Sequence, residues 1–127
     1  MKKIVPCVFA IVCFFASQAS EAAVFNVASI AEFQSALTTA QGNGQSDTIL
    51  VAPGTYIVES PLSYFGEEEE DYGLVIQGAG AATTILDGNN STSILQIDQS
   101  YLSEGMNANV TIKGITFRKG NEPSSWG

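Results

Sequence analysis

Histidine is absent from the 127-residue chain, and lysine and arginine together number only five. The absence of histidine removes the commonest general base and the commonest zinc ligand. The thirteen acidic residues leave a net charge of −8. A chain of this charge is repelled by nucleic acid and by anionic membrane surfaces. The composition therefore argues against nucleic-acid binding and against any site built on histidine.

The amino terminus has the layout of a secretory signal peptide. Lys2 and Lys3 precede an apolar run at 4–16, which is followed by small and polar residues. A membrane anchor is the alternative, but the run is too short to span a bilayer comfortably. We expect cleavage after Ala19, or as late as Ala23. The protein would then be secreted, periplasmic or at the cell surface, with no membrane span in the mature chain.

Removal of residues 1–19 would also remove both cysteines, Cys7 and Cys13. The mature chain would then have no disulfide, so its stability must come from a packed core. A lipid-modified Cys13 is the alternative, but Val12 is larger than the residue that such processing prefers. Loss of two lysines with the leader would take the net charge from −8 to −10.

Short aliphatic triplets separated by glycine-containing turns dominate the rest of the chain. Runs of this length are too short for helices and have the right size for buried strands. Because they do not alternate cleanly with polar residues, we expect strands that are buried over most of their length. The pattern predicts a coiled stack, in which each strand lies beside the strand one coil earlier. The predicted strands are 49–51, 56–58, 74–77, 84–86, 93–97, 110–113 and 115–118.

One helix is predicted after a short extended segment at 23–27. Ser29 is a suitable N-cap, and Glu32 can reach back to the backbone amide of Ser29, which makes a capping box. The Gly-Asn-Gly sequence at 42–44 ends the helix. We expect this helix to cover the unpaired amides and apolar side chains at the first coil of the stack. The residues of its apolar face are Ile30, Phe33 and Leu37.

An acidic loop interrupts the strands. Pro61 bars regular strand pairing, so we expect a loop over 62–73. Consecutive carboxylates repel one another and cannot be buried unpaired, which indicates a solvated loop. A calcium site is the alternative, because calcium takes several oxygen ligands, although the spacing lacks the alternation that lets one loop wrap an ion. The candidate calcium ligands are Glu67, Glu68, Glu69, Glu70 and Asp71.

The strand and turn sequences resemble the opening coils of right-handed parallel β-helix proteins of the pectate-lyase-like superfamily. The matching runs are DTILVAPGTY at 47–56, LVIQGAG at 74–80, TILDG at 84–88 and VTIKGITF at 110–117. The resemblance implies an all-β fold, a right-handed parallel β-helix of about two to three coils with an amino-terminal capping α-helix. The shared residues are strand and turn residues, so they indicate the fold more strongly than any activity.

Members of the superfamily include polysaccharide lyases, glycoside hydrolases and non-enzymatic adhesins. The lyases abstract a proton beside a uronate carboxylate with Arg or Lys, often aided by calcium. The resemblance therefore makes Lys113 and Arg118 candidate catalytic residues, because a basic pair can bind a uronate carboxylate. Ordinary outward-facing strand residues are the alternative.

A hydrolase instead needs two carboxylates that converge across a sugar. Asp87 and Asp98 lie close to predicted strands, although Asp87 before Gly88 also suits a turn. Glu104, in a predicted loop, has no visible partner. The sequence therefore contains no complete catalytic set.

Few residues follow the last predicted strand. We therefore expect 24–127 to be the amino-terminal part of a longer β-helix domain, with an open last edge that favours edge-to-edge self-association. The expected function is a secreted module of a carbohydrate-interacting or surface protein without a complete active site. The alternatives are a polysaccharide lyase and an adhesin or autotransporter passenger fragment. The expected ligand is a polysaccharide or surface glycan, and calcium is the one cofactor considered.

Overall fold

The computed structural model describes residues 22–66, 72–100 and 109–121. They are mostly β, as the sequence predicts, with a single helix, α1, at Ile30–Ala40. In these three ranges no helix is long and apolar enough to cross a membrane. The strands are β1 (Ala23–Val27), β2 (Asp47–Val51), β3 (Gly54–Ile57), β4 (Leu62–Phe65), β5 (Leu74–Gly78), β6 (Thr84–Asp87), β7 (Leu95–Asp98), β8 (Val110–Lys113) and β9 (Thr116–Arg118).

The strands form three separate sheets, and every strand pair in them is parallel. The first sheet has the order β1-β2-β5-β8, the second β3-β6-β9 and the third β4-β7. From β2 onward, consecutive strands enter the first, second and third sheet in turn. From β5 onward, each strand therefore pairs with the strand three earlier in the chain. The predicted parallel pairing is confirmed.

The core runs along the inward face of the first sheet. Phe25, Ile49, Ile76 and Ile112 occupy equivalent positions on its four strands. Ile49 and Ile76 are fully buried, whereas Ile112, on the last of these strands, is 38% exposed. Stacking of apolar side chains at each step excludes water and supplies the main stabilising term of such a core.

Burial alternates along β2 and β5, so only every second residue of these two strands is fully buried, whereas three of the four residues of β6 are buried. The expectation of strands buried over most of their length therefore holds for β6 and is too strong for β2 and β5. In β2, Asp47, Ile49 and Val51 are buried, whereas Thr48 and Leu50 are only partly buried. The physical reason is that successive side chains of a strand point to opposite faces of its sheet. Leu50 therefore faces outward even though it stands within an aliphatic triplet.

The third sheet begins where the sequence predicted a loop. The prediction of a loop over 62–73 is wrong at its start, because β4 occupies Leu62–Phe65. Pro61 lies just before the strand, so its missing N–H removes no bond from the ladder. The amide of Leu62 donates to the carbonyl of Ile94, 2.9 Å away, and Leu62 and Tyr64 are buried.

Helix α1 packs against β1, β2 and β4, so it covers the edge strands of the first and third sheets. Phe33 and Leu37 are buried in the core, and Ile30 packs against it. Ser29 is the N-cap, and its hydroxyl accepts from the amide of Glu32 at 3.2 Å. The carboxylate of Glu32 accepts from the amide of Ala28 at 2.7 Å, one residue before the partner that the sequence predicted. The capping box is thus shifted by one residue.

The side chains of Gln34, within α1, and Gln41, at its C-cap, hydrogen-bond to the free edge of β4. The side-chain amide of Gln34 donates to the carbonyl of Ser63 at 3.1 Å and accepts from its amide at 2.9 Å. Two residues further along β4, the side-chain oxygen of Gln41, the C-cap residue, accepts from the amide of Phe65 at 3.1 Å. The helix therefore supplies the hydrogen bonds that a neighbouring strand would otherwise make.

The loop after α1 holds a buried carboxylate at the start of β2. Asp47 is buried, and its Oδ1 accepts from Nδ2 of Asn43 at 2.8 Å. Oδ1 of Asn43 in turn accepts from the amide of Gln45 at 3.0 Å. Burial raises the pKa of Asp47, while the hydrogen bond from Asn43 opposes this rise.

Candidate functional site

An ion-paired cluster lies at the ends of β6 and β9, where Asp87 and Arg118 are register partners. Nε of Arg118 is 2.7 Å from Oδ2 of Asp87, and Nζ of Lys119 is 3.9 Å from the same oxygen. The Asp87 side chain is buried, whereas about half of each basic side chain is exposed. The cations therefore shield the carboxylate and form the surface above it.

The surroundings of Asp87 stabilise its charged form. The amide of Asn89 donates to Oδ1 at 2.8 Å. This hydrogen bond and the one from Arg118 hold the pKa of Asp87 below its ordinary value, and burial opposes them only in part. Lys119 adds a further favourable charge. Asp87 is therefore a stable anion, which does not suit it to act as a general acid.

A tight turn positions this cluster. Asn89 and Asn90 both have positive φ, at 53° and 58°, and the amide of Ser91 donates to the carbonyl of Gly88 at 2.9 Å. Two central residues of positive φ are the pattern of a type I′ turn, which asparagine tolerates better than most residues. The amide of Asn90 also donates to the carbonyl of Lys119 at 2.8 Å, which fixes the turn against the residue that follows β9.

The structure separates the two basic residues that the resemblance singled out. Lys113 lies on β8 in the first sheet with an exposed side chain, and Arg118 lies on β9 in the second sheet, bonded to Asp87. Lys113 and Arg118 therefore lie on different sheets, and their action as a basic pair on a uronate carboxylate stays a prediction.

The two carboxylates considered for hydrolysis also lie on different sheets. Asp98 is on β7 in the third sheet, where Phe65 of β4 is its register partner. The side chain and the amide of Ser100 both hydrogen-bond to Asp98 and lower its pKa, and the amide lies 2.8 Å from Oδ1. Asp87 belongs to the second sheet and is ion-paired. These two carboxylates therefore lie on different sheets and have separate hydrogen-bond partners.

The predicted calcium ligands lie outside the described residues, as does Glu104. Within 22–66, 72–100 and 109–121, no group of three or more acidic, histidine or cysteine side chains is placed to hold a metal ion. The calcium site therefore stays a prediction. The candidate residues are Glu67, Glu68, Glu69, Glu70 and Asp71.

A shallow groove of about 330 Å³ crosses the outer face of the first sheet near the ends of β1, β2 and β5. Asn26, Leu50 and Gln77 line up across it, because they are register partners on these three strands. Asn26 and Gln77 are exposed, and Ala52 and Pro53 form part of its wall. We refer to it as the outer groove. The outer groove was not predicted from the sequence, although the spacing of the strands could have been used to place Asn26, Leu50 and Gln77 side by side.

No protein-family model matches the chain, and neither a curated protein nor a solved structure matches it significantly.

Proposed function

We propose that the chain folds as a right-handed parallel β-helix of the pectate-lyase-like type. The observation that supports this most strongly is the order in which the chain enters its three sheets, first, second and third, with each strand from β5 onward paired in parallel to the strand three earlier. A right-handed path is the one that parallel crossover connections almost always take. The sequence resemblance supports the same fold.

Within this fold, the proposed role of the described chain is that of a helix-capped module. The glutamine side chains of α1 and its C-cap satisfy the edge of β4, and Phe33 and Leu37 close the apolar interior. A capped end prevents further strands from adding there, which natural β proteins need in order to remain soluble. The module would thus provide a rigid, closed start for a stack of coils.

The proposed ligand is a neutral or weakly charged glycan, bound in the outer groove without turnover. The exposed amides of Asn26 and Gln77 can donate to and accept from sugar hydroxyls, and Leu50 between them offers an apolar patch. The ion pair between Arg118 and Asp87 disfavours the lyase alternative, because it engages one of the two basic residues that a lyase would use to bind the uronate carboxylate. The protein would act as a secreted or surface glycan-binding module.

A glycan array, followed by affinity measurement on the glycans it identifies, tests this proposal. Replacing both amides, Asn26→Ala with Gln77→Ala, should weaken binding by about tenfold or more, since two hydrogen bonds of about 1 kcal/mol each are lost. Thr55→Ala, an exposed change on the second sheet, is the matched control and should bind normally. Equal binding by the double variant would refute the assignment of the groove.

The lyase alternative has its own test. The chain is incubated with polygalacturonate and calcium, and the absorbance of unsaturated products is followed. We expect no product. Product formation that is lost in Lys113→Ala or Arg118→Ala would replace the binding proposal with an enzymatic one.

A further inference from the structure

We propose that Asn43–Gly44 is a site of spontaneous deamidation, which converts Asn43 to aspartate or isoaspartate and breaks its contact with Asp47. The site lies in the loop between α1 and β2, away from the outer groove. Deamidation is a covalent modification, and it does not depend on glycan binding.

The chemistry requires only water. The backbone nitrogen of Gly44 attacks Cγ of Asn43, a new N–Cγ bond forms, and the Cγ–Nδ2 bond breaks. The amide proton of Gly44 leaves with Nδ2 as ammonia, and the product is a cyclic succinimide. Water then opens the ring at either carbonyl, which gives aspartate or isoaspartate. No electrons are transferred to or from any other reactant.

The surroundings of Gly44 favour this attack. Gly44 is exposed, its φ is +70°, and no heavy atom lies within 4 Å of the position that a Cβ would occupy. Glycine thus has no side chain to hinder its own nitrogen, and the space beside its Cα is open. The hydrogen bond from the amide of Gln45 to Oδ1 of Asn43 withdraws electron density from Cγ, which makes that carbon a better electrophile.

The other asparagines of the chain lack this combination. Each is followed by a residue with a side chain, which hinders the approach of the next backbone nitrogen to Cγ. These asparagines are Asn26, Asn89, Asn90, Asn107, Asn109 and Asn121. The reaction should therefore select Asn43.

Deamidation would remove a hydrogen bond that Asp47 accepts. Nδ2 of Asn43 donates to the buried carboxylate of Asp47 at 2.8 Å. After deamidation the donor is gone and a second carboxylate stands beside the first, an arrangement that like-charge repulsion disfavours. Asp47 begins β2, and its own amide donates to the carbonyl of Gly73 at 2.9 Å. The modification should therefore loosen the start of the first sheet.

The direct test is to incubate the folded chain at mildly alkaline pH and to map its peptides by mass spectrometry over several days. The expected result is a mass increase equal to the exchange of NH for O, several-fold faster at Asn43 than at any other asparagine. Asn43→Gln, which keeps an amide but cyclises more slowly, should suppress the change. Equal rates at all asparagines, or an unmodified Asn43, would overturn the proposal.

The structural consequence is tested without waiting for the reaction. Asn43→Asp should lower the thermal midpoint at neutral pH. Asp47→Asn should raise the midpoint of the Asn43→Asp variant by more than it raises that of the wild type, because the amide introduced at position 47 can then donate to the carboxylate at position 43. Equal effects of Asp47→Asn in the two backgrounds would contradict the proposed coupling between 43 and 47.

Discussion

Two carboxylates are buried in the described chain, Asp47 and Asp87, and their surroundings move their pKa values in opposite directions. Asp47 stands at the start of β2 with a side-chain amide donor from Asn43, and desolvation dominates there. Asp87 has a backbone donor and two cations, so the charged form is stabilised. When both residues are ionised, Asp47 therefore destabilises the fold and Asp87 stabilises it.

Asp47→Asn should raise stability at neutral pH. Because the folded-state pKa of Asp47 is raised, its favourable contribution is complete below the ordinary carboxyl pKa and is lost as the pH rises through the folded-state value. Asparagine at this position keeps the acceptor for Asn43 but carries no charge. Urea unfolding at several pH values should show the variant gaining on the wild type as the pH rises. A constant difference at all pH values would be inconsistent with this assignment.

Asp87→Asn should have the opposite effect. The lowered pKa of Asp87 gives stability that is present above the ordinary carboxyl pKa and is lost as the pH falls through the folded-state value. The urea midpoint of the variant should therefore be lower than that of the wild type at neutral pH, and the two should converge in strong acid. Glu59→Gln, on the exposed surface, serves as the control and should change little. A deficit that persists unchanged in acid would contradict the ion pair.

Gly78→Ala should destabilise the fold by about 1–3 kcal/mol, the usual cost of overpacking. A Cβ at 78 would collide with the carbonyl oxygen of Gly114 and would lie 2.7 Å from Cγ1 of Ile115. Gly73→Ala is the matched control, because its Cβ would meet its nearest neighbour at an ordinary 3.5 Å. The free energies of unfolding of the two variants should differ clearly, and equal values would show that the strands are not packed this closely.

At the scale of elements, the sequence predicted helix α1 well and strand β4 not at all. Ser29, Glu32 and the spacing of the apolar residues are local signals, so they identify a helix without knowledge of its neighbours. β4 is a strand because Tyr64 finds a buried position and Leu62 bonds to Ile94, which is 32 positions away. That information is tertiary, and the nearby proline suggested a loop instead.

The glutamine contacts of α1 give the sharpest test of its role. Gln34→Ala leaves the amide and the carbonyl of Ser63 without these side-chain partners, at a cost of about 1–3 kcal/mol. Ser35→Ala, an exposed neighbour on the same helix, should change stability by less than about 0.5 kcal/mol. Chemical denaturation measures both. If the two variants are equally stable, the helix does not protect the edge of β4.

At the scale of the whole molecule, the parallel pairing and the helix-covered end were predictable, whereas the site was predictable only in part. The aliphatic triplets recur at intervals that place Ile49 beside Ile76, and turn residues mark the corners between them. The partnership of Asp87 with Arg118 was not apparent, because the residues are 31 positions apart and come together only through strand register. From the sequence, Arg118 was a candidate for a lyase and Asp87 was a candidate for a hydrolase.

Strands far apart in sequence lie side by side in parallel register. Nuclear Overhauser contacts in solution measure this directly. We expect inter-strand contacts that link Ile49 to Ile76 and Ile76 to Ile112, with the offset pattern of parallel strands. Close contacts between α-protons of facing residues on β2 and β3, the signature of an antiparallel hairpin, would contradict it.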